Sequence, residues 1–176
     1  MEEVSLPTSS TSSPLAEDTH GLIVAKSGIS TTGLAWSNST TTVVGTSAGY
    51  GTGLSNSDKI MNSTGASSFS FAAYNARYYN GGGYSNWFLP SREELRKLQQ
   101  KKDDIENFQV PTQSGDRVVY WTSSESTQPS TDGSYDPDTC AHVPAFDGTN
   151  GDWANYKSPR DSSYPAYEHV RPVRYF

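Results

Sequence analysis

Between Glu125 and Val170 lie 44 residues with a single Leu, Ile, Val or Met among them, Val143. Ser, Thr, Asp, Asn, Gly and Pro dominate the rest. A stretch this poor in aliphatics cannot build much core of its own, and disorder is the ordinary outcome of such a composition. Six aromatics argue against it: Tyr135, Phe146, Trp153, Tyr156, Tyr164 and Tyr167. Tyr and Trp give rigid, amphipathic contact area at low entropic cost, and Ser, Gly and Asn give adaptable hydrogen bonds, so the segment has the composition of a binding surface. It is also framed. Tyr120-Trp121-Thr122-Ser123-Ser124-Glu125 precedes it and Val170-Arg171-Pro172-Val173-Arg174-Tyr175-Phe176 follows.

The remaining residues must then supply the fold. With 176 residues the chain suits one domain, and at 33% hydrophobic with 12% aromatic content its core has to lean on Phe, Tyr and Trp. A net charge of −6 repels phosphate backbones, so nucleic acid is not an expected partner. No apolar run approaches the roughly 18 residues of a spanning helix, so membrane insertion is not expected either. Cys140 is the single cysteine, which rules out an intrachain disulfide and reads as a small apolar residue.

Along the chain, residues 1–19 read as a flexible leader and 20–176 as the domain. Gly21-Leu22-Ile23-Val24-Ala25 reads as a buried strand and Gly33-Leu34-Ala35-Trp36 as a shorter one. Residues 37–55 read as loop. Asn56 or Ser57 can cap a short helix through Ile60 and Met61. Ser67 can cap another, on which Phe69, Ala72, Ala73, Ala76 and Tyr79 recur at helical spacing before Asn80 and three glycines stop it. Those glycines lack a following Lys-Ser/Thr, so they are not a phosphate loop. Ser91 and Glu94 have the spacing of a capping box, with Leu95 and Leu98 facing inward. Val118–Trp121, Ala141–Phe146, Asp152–Lys157 and Glu168–Tyr175 read as short strands, the last interrupted or edged at Pro172. The expected fold class is α+β: two helices and a small, twisted, mostly antiparallel sheet with long loops.

Four ordered blocks carry a resemblance. They are Trp87-Phe88-Leu89-Pro90-Ser91-Arg92-Glu93-Glu94-Leu95, Tyr120–Glu125, Phe146-Asp147-Gly148 and Val170–Phe176. Together with Gly21–Ala25 and Gly82–Trp87, they resemble the C-terminal domain of bacterial collagen-like adhesins, a C-type-lectin-like fold, over residues 20–176. The variable proteins of diversity-generating retroelements use the same fold to display a diversified C-terminal surface. Their adenine-directed mutagenesis acts mainly on Asn-type codons, and does not produce Trp, Lys, Glu or Gln from them. Residues 126–169 hold one of each: Trp153, Lys157, Glu168 and Gln128. The resemblance implies that Val170–Phe176 pairs with Gly21–Ala25. It also implies that Arg171 and Arg174 satisfy buried carboxylates or carbonyls, with Glu93, Glu94 and Glu125 as candidate partners.

Enzymatic chemistry finds little footing. Ser123 and Ser124 beside Glu125 are not a nucleophile elbow, and side-chain-to-backbone bonds fixing the turn are the better reading. One cysteine cannot perform the paired-cysteine chemistry of the formylglycine-generating branch of the fold. His20, His142 and His169 are too dispersed for zinc. Asp132, Asp136, Asp138, Asp147 and Asp152 crowd one region that calcium could use, but Asp-Pro and Asp-Gly are also ordinary turn formers. No cofactor is expected, with calcium the alternative. The chain therefore reads as a non-enzymatic ligand binder that displays a variable surface on a virion or at a cell surface. Its ligand would be a protein or glycan on a host or neighbouring cell, and a fixed-specificity carbohydrate-binding adhesin domain is the alternative. The expected contact residues are Tyr135, Asp136, Asp138, His142, Pro144, Asp147, Thr149, Asn150, Asp152, Trp153, Asn155, Tyr156, Arg160, Tyr164 and Tyr167. Phe146 is expected in the core, while Trp153 suits either core or surface.

Overall fold

The local signals of the sequence become three α-helices and six short strands in the computed structural model, which describes residues 21–29, 34–39, 41–109, 118–126, 139–146, 151–157 and 168–176. In chain order the elements are β1 (Leu22–Val24), α1 (Gly53–Thr64), α2 (Ala72–Arg77), α3 (Arg92–Gln100), β2 (Val119–Tyr120), β3 (Cys140–Pro144), β4 (Asp152–Tyr156), β5 (Glu168–His169) and β6 (Val173–Tyr175). The class is α+β.

The capping box forms as its spacing predicts. Ser91 Oγ accepts from the Glu94 amide, and Glu94 Oε2 accepts from the Ser91 amide at 2.7 Å. Leu95 and Leu98 on α3 are buried. Glu94 is itself fully buried and also accepts from Gly51 N and the Tyr175 hydroxyl. That one carboxylate thus ties the start of α3 to the loop before α1 and to the C-terminal strand.

Three departures from the sequence expectations have physical causes. The expected short helix is a full element of 12 residues, making three helices instead of two. It starts at Gly53, four residues before Ser57. Asn56 and Ser57 lie inside it, and their side chains bond out of the helix: Asn56 Nδ2 to Ser47 O, and Ser57 Oγ with Leu89. α2 starts at Ala72, not after Ser67, because the Ala72 amide donates to Ala35 O and Phe71 bridges Ala35. Phe69 is consequently left outside the helix and 66% exposed, edge-on to Tyr74 on a surface it shares with Tyr78. Leu34–Trp36 makes that single bridge and no strand.

The strands pair two by two. β1 and β6 are antiparallel, with Leu22 opposite Tyr175 and Val24 opposite Val173, so the two ends of the domain close on each other. β3 and β4 are antiparallel, with Cys140 opposite Tyr156 and Pro144 opposite Asp152. β2 and β5 are parallel. Single bridges extend the pairs: Phe88 to Val173 of β6, Glu125 to Ala141 of β3, and Val119 of β2 to Ala145 just past β3. The stretch expected as one strand over Glu168–Tyr175 breaks at Val170–Pro172. Pro172 has no amide to give and contributes only its carbonyl, to Ala25 N at 3.0 Å.

Two apolar clusters fill the interior. The larger contains Trp36, Ile60, Leu89, Trp121, Val143 and the alanines of α2. The smaller contains Phe88, Leu95, Tyr120, Phe146 and Val173. Buried indoles need a partner for their N–H. Trp36 Nε1 donates to Thr122 O at 2.7 Å and Trp121 Nε1 to Leu34 O at 3.0 Å, which laces residues 34–36 to 121–122 reciprocally. Phe146 lies in the core as expected, stacked on Phe108 and edge-on to Tyr120.

The C-terminal arginines find partners other than Glu93, Glu94 and Glu125. Arg171 is fully buried and donates to the carbonyls of Lys26, Glu106 and Asn107, with its guanidinium 4.7 Å from the Phe108 ring. Burial pushes its pKa down, against the pull of Tyr120. Arg174 stacks on Tyr84 at 4.3 Å.

Candidate ligand-binding surface

The β3–β4 hairpin is the described part of the aliphatic-poor segment, and its two strands differ sharply. β3 is buried at every position, whereas β4 runs from exposed at Asp152 and Trp153 to half-buried at Ala154, Asn155 and Tyr156. β3 therefore belongs to the core and β4 faces solvent. Trp153 is 41% exposed, which resolves its ambiguity in favour of the surface. Its indole lies beside Gly151, where a Cβ would fall 2.0 Å from Nε1, so a side chain at 151 would displace the ring.

Of the expected contact residues, Asp152, Trp153, Asn155 and Tyr156 lie together on β4. His142 and Pro144 lie on β3 and are buried. The buried His142 ring meets the exposed strand from beneath, with Nδ1 3.4 Å from Asp152 Oδ1. Tyr135, Asp136, Asp138, Asp147, Thr149, Asn150, Arg160, Tyr164 and Tyr167 lie outside the described residues.

Asp152 is the electrostatic centre of the hairpin. Arg92, the first residue of α3, donates Nε to Asp152 Oδ2 at 2.6 Å and places Nη2 on the same oxygen. Glu93 holds the other side of the guanidinium, with Oε1 3.1 Å from Nη1. Burial alone would raise the Asp152 pKa; the bonds from His142 and Arg92 outweigh it and bring it down to about 2. Asn155 Nδ2 donates to Glu168 Oε1, linking β4 to β5. The other Glu168 oxygen is buried with no hydrogen-bond partner among the described residues, and burial raises this carboxyl's pKa against the bond from Asn155.

The ends of the hairpin are fixed by a second charge pair, this one buried. Lys157, directly after β4, is wholly buried, with Nζ 2.5 Å from Glu125 Oε1 and 3.1 Å from Thr42 O. It also sits 5.1 Å from the Trp36 ring. Glu125 accepts three successive amides, Val44 at 2.7 Å, Gly45 at 2.8 Å and Thr46 at 3.1 Å. Gly45 has a φ of 73°, the left-handed turn that lets consecutive N–H groups converge on one anion. Burial opposes ionisation of Glu125, but the bonds from Lys157, Val44 and Thr46 prevail and its pKa is lowered. Thus Glu125, just before the segment, and Lys157, directly after β4, meet inside the molecule and also hold the irregular loop 41–48.

Sequence reasoning missed both pairings. Arg92 carried no signal beyond its place after an N-cap. Lys157 did: a lone lysine in a stretch of small polar residues is an outlier that asks for a partner. Ser123 and Ser124 are buried, but their hydroxyls bond distant segments, and the local turn is fixed by Thr122 Oγ1, which accepts from Ser124 N. Ser124 Oγ donates to Ser47 O and accepts from Arg92 N, and Ser123 Oγ accepts from Asn56 Nδ2. Cys140 is fully buried. Among the described residues no three His, Cys, Asp or Glu side chains gather as a metal-binding group. No helix among them is long and apolar enough to cross a membrane. Compared with family models, curated proteins and solved structures, the chain matches none.

Proposed function

We propose that this protein is a non-enzymatic ligand binder of C-type-lectin-like fold. It displays residues 126–169 as a sequence-variable surface, in the manner of diversity-generating retroelement variable proteins. The setting is a virion or cell surface, and the ligand is a protein or glycan on a host or neighbouring cell. The observation that carries the reading is the division of the hairpin: a buried β3, a solvent-facing β4, and ends tied by the buried Glu125–Lys157 pair. Such a division lets outward residues change without disturbing the core. Pairing of β1 with β6 supports the fold assignment, because the resemblance requires those segments to meet.

The placement of Lys157 and Glu168 adds support. Neither residue arises from Asn-type codons under adenine mutagenesis, and both are buried, Lys157 against Glu125 and Glu168 against Asn155. They are positions a diversifying system would leave alone. The test is the sequence of the surrounding locus. A template copy of the segment beside a reverse transcriptase gene is the expected result. Absence of both from the complete locus refutes diversification.

Trp153 favours a second reading. It too does not arise from Asn-type codons, yet it is exposed next to Asn155. An exposed indole with a neighbouring amide can stack on and hydrogen-bond a sugar, as a fixed-specificity adhesin domain would. A glycan array separates the two. Binding of one sugar class, shared by relatives that differ across 126–169, favours the adhesin.

A further inference from the structure

We infer that Arg92 and His142 form a carboxylate receptor which Asp152 fills from within, and that residue 152 sets whether the display surface accepts acidic ligand groups. The inference rests on the reading of the hairpin as a display surface. Its geometry is already that of a bound anion. One oxygen of Asp152 takes Nε and Nη2 of Arg92, and the other faces His142 Nδ1 at 3.4 Å. The Nε/Nη2 edge of a guanidinium is a preferred docking edge for carboxylates.

The receptor side is built independently of its occupant. Arg92 is positioned by α3, its amide bonded to Ser124 Oγ at 3.0 Å. Glu93 engages Nη1, which leaves the Nε/Nη2 edge turned towards β4. His142 is 6% exposed on β3, so its ring cannot swing away freely. The occupant comes from the exposed strand. Arg92 and Asp152 keep 27% and 29% of their side-chain surface, so a small anion can reach the position that the carboxylate leaves.

The consequence concerns specificity. With aspartate at 152 the receptor is closed, and Trp153 and its neighbours meet uncharged ligand surface. With a small neutral residue at 152 the same face offers a preformed site to a carboxylate of the ligand. A single change on β4 thus alters the charge preference of the surface without adding any cation.

Chemical rescue tests the assignment. Asp152→Ala is titrated with sodium acetate at constant ionic strength, with melting temperature as readout, beside wild type and the double variant D152A/R92Q. The expected result is a saturable rise for D152A alone, about 3–6 °C when acetate exceeds its Kd tenfold. No saturable rise in D152A, or an equal rise in D152A/R92Q, overturns the assignment. Should D152A be unfolded, acetate must restore its circular dichroism spectrum, and Asp152→Ser repeats the titration with a side chain suited to a strand; failure of both overturns it as well. Acetate reads the receptor itself, so failure here leaves the display reading standing. A locus without template copy or reverse transcriptase leaves the receptor standing.

Discussion

Glu125→Gln asks how much of the molecule depends on closing the hairpin segment at its ends. Glu125 keeps 9% of its side-chain surface and Lys157 none, so the pair is effectively out of water. Gln preserves the shape and one acceptor oxygen but removes the charge. Lys157 would then remain buried without its counter-ion, Thr42 O and the Trp36 ring staying beside it. Breaking a buried pair from one side costs about 3–5 kcal/mol, because the remaining buried charge loses its counter-ion. Lys157→Met is milder, at about 2–3 kcal/mol, since the stranded carboxylate still accepts three backbone amides. The double variant has no stranded charge, and its loss should fall short of the sum by about 1–3 kcal/mol. In a chain of 176 residues each kcal/mol moves the melting temperature by about 2–4 °C, so Glu125→Gln should lower it by about 6–20 °C. Urea denaturation of the four proteins measures all of this at once. A cost below about 1 kcal/mol for Glu125→Gln, or strict additivity in the double variant, refutes the clamp.

Other outcomes follow from the same geometry. Trp121→Ala should cost about 3–5 kcal/mol, as its ring is buried and its N–H bonds Leu34, while Tyr156→Ala on β4 should cost under about 1 kcal/mol; calorimetry compares them. Ser91→Ala removes half of the capping box and should cost about 1–2 kcal/mol by urea denaturation. The pKa of Asp152 falls from 3.8 to about 2 on folding, so its stabilising contribution is complete above about pH 4 and is lost as pH drops towards 2. The stability gap between wild type and Asp152→Asn should therefore narrow over that window. Glu168 shifts the other way: its raised pKa makes its charge a liability at neutral pH, so wild type should gain on Glu168→Gln as pH falls through the raised pKa towards 4.5.

What could be read from the sequence was what short-range chemistry decides. Ser91 and Glu94 announce their helix because both partners of the capping box lie within one turn. The pairing of β1 with β6 came only through resemblance, since its register joins residues about 150 positions apart. Phe69 was misplaced because helical spacing says nothing about where a helix begins; a bond from Ala72 to Ala35, far back in the chain, decides that. For Arg171 the resemblance left carboxylates and carbonyls open, with Glu93, Glu94 and Glu125 as candidate partners. In the folded chain it is the carbonyls of residues 26, 106 and 107 that take its N–H groups, a choice made by segments far away in sequence. The surface was legible as a composition. Which strand of the hairpin faces outward was not, since Val143 and Phe146 hint at a buried β3 but Trp153 gives β4 an equal hint.

The division between fixed frame and displayed strand can be measured position by position. A saturation library at Cys140, Ala141, Val143, Trp153, Asn155, Tyr156 and Lys157, sorted for folded protein and sequenced, gives the tolerance of each site. Trp153 and Tyr156 should accept most residues, while the β3 positions and Lys157 accept few and Asn155, which bonds the buried Glu168, is intermediate. Equal intolerance on both strands would make the hairpin ordinary core and contradict the display surface.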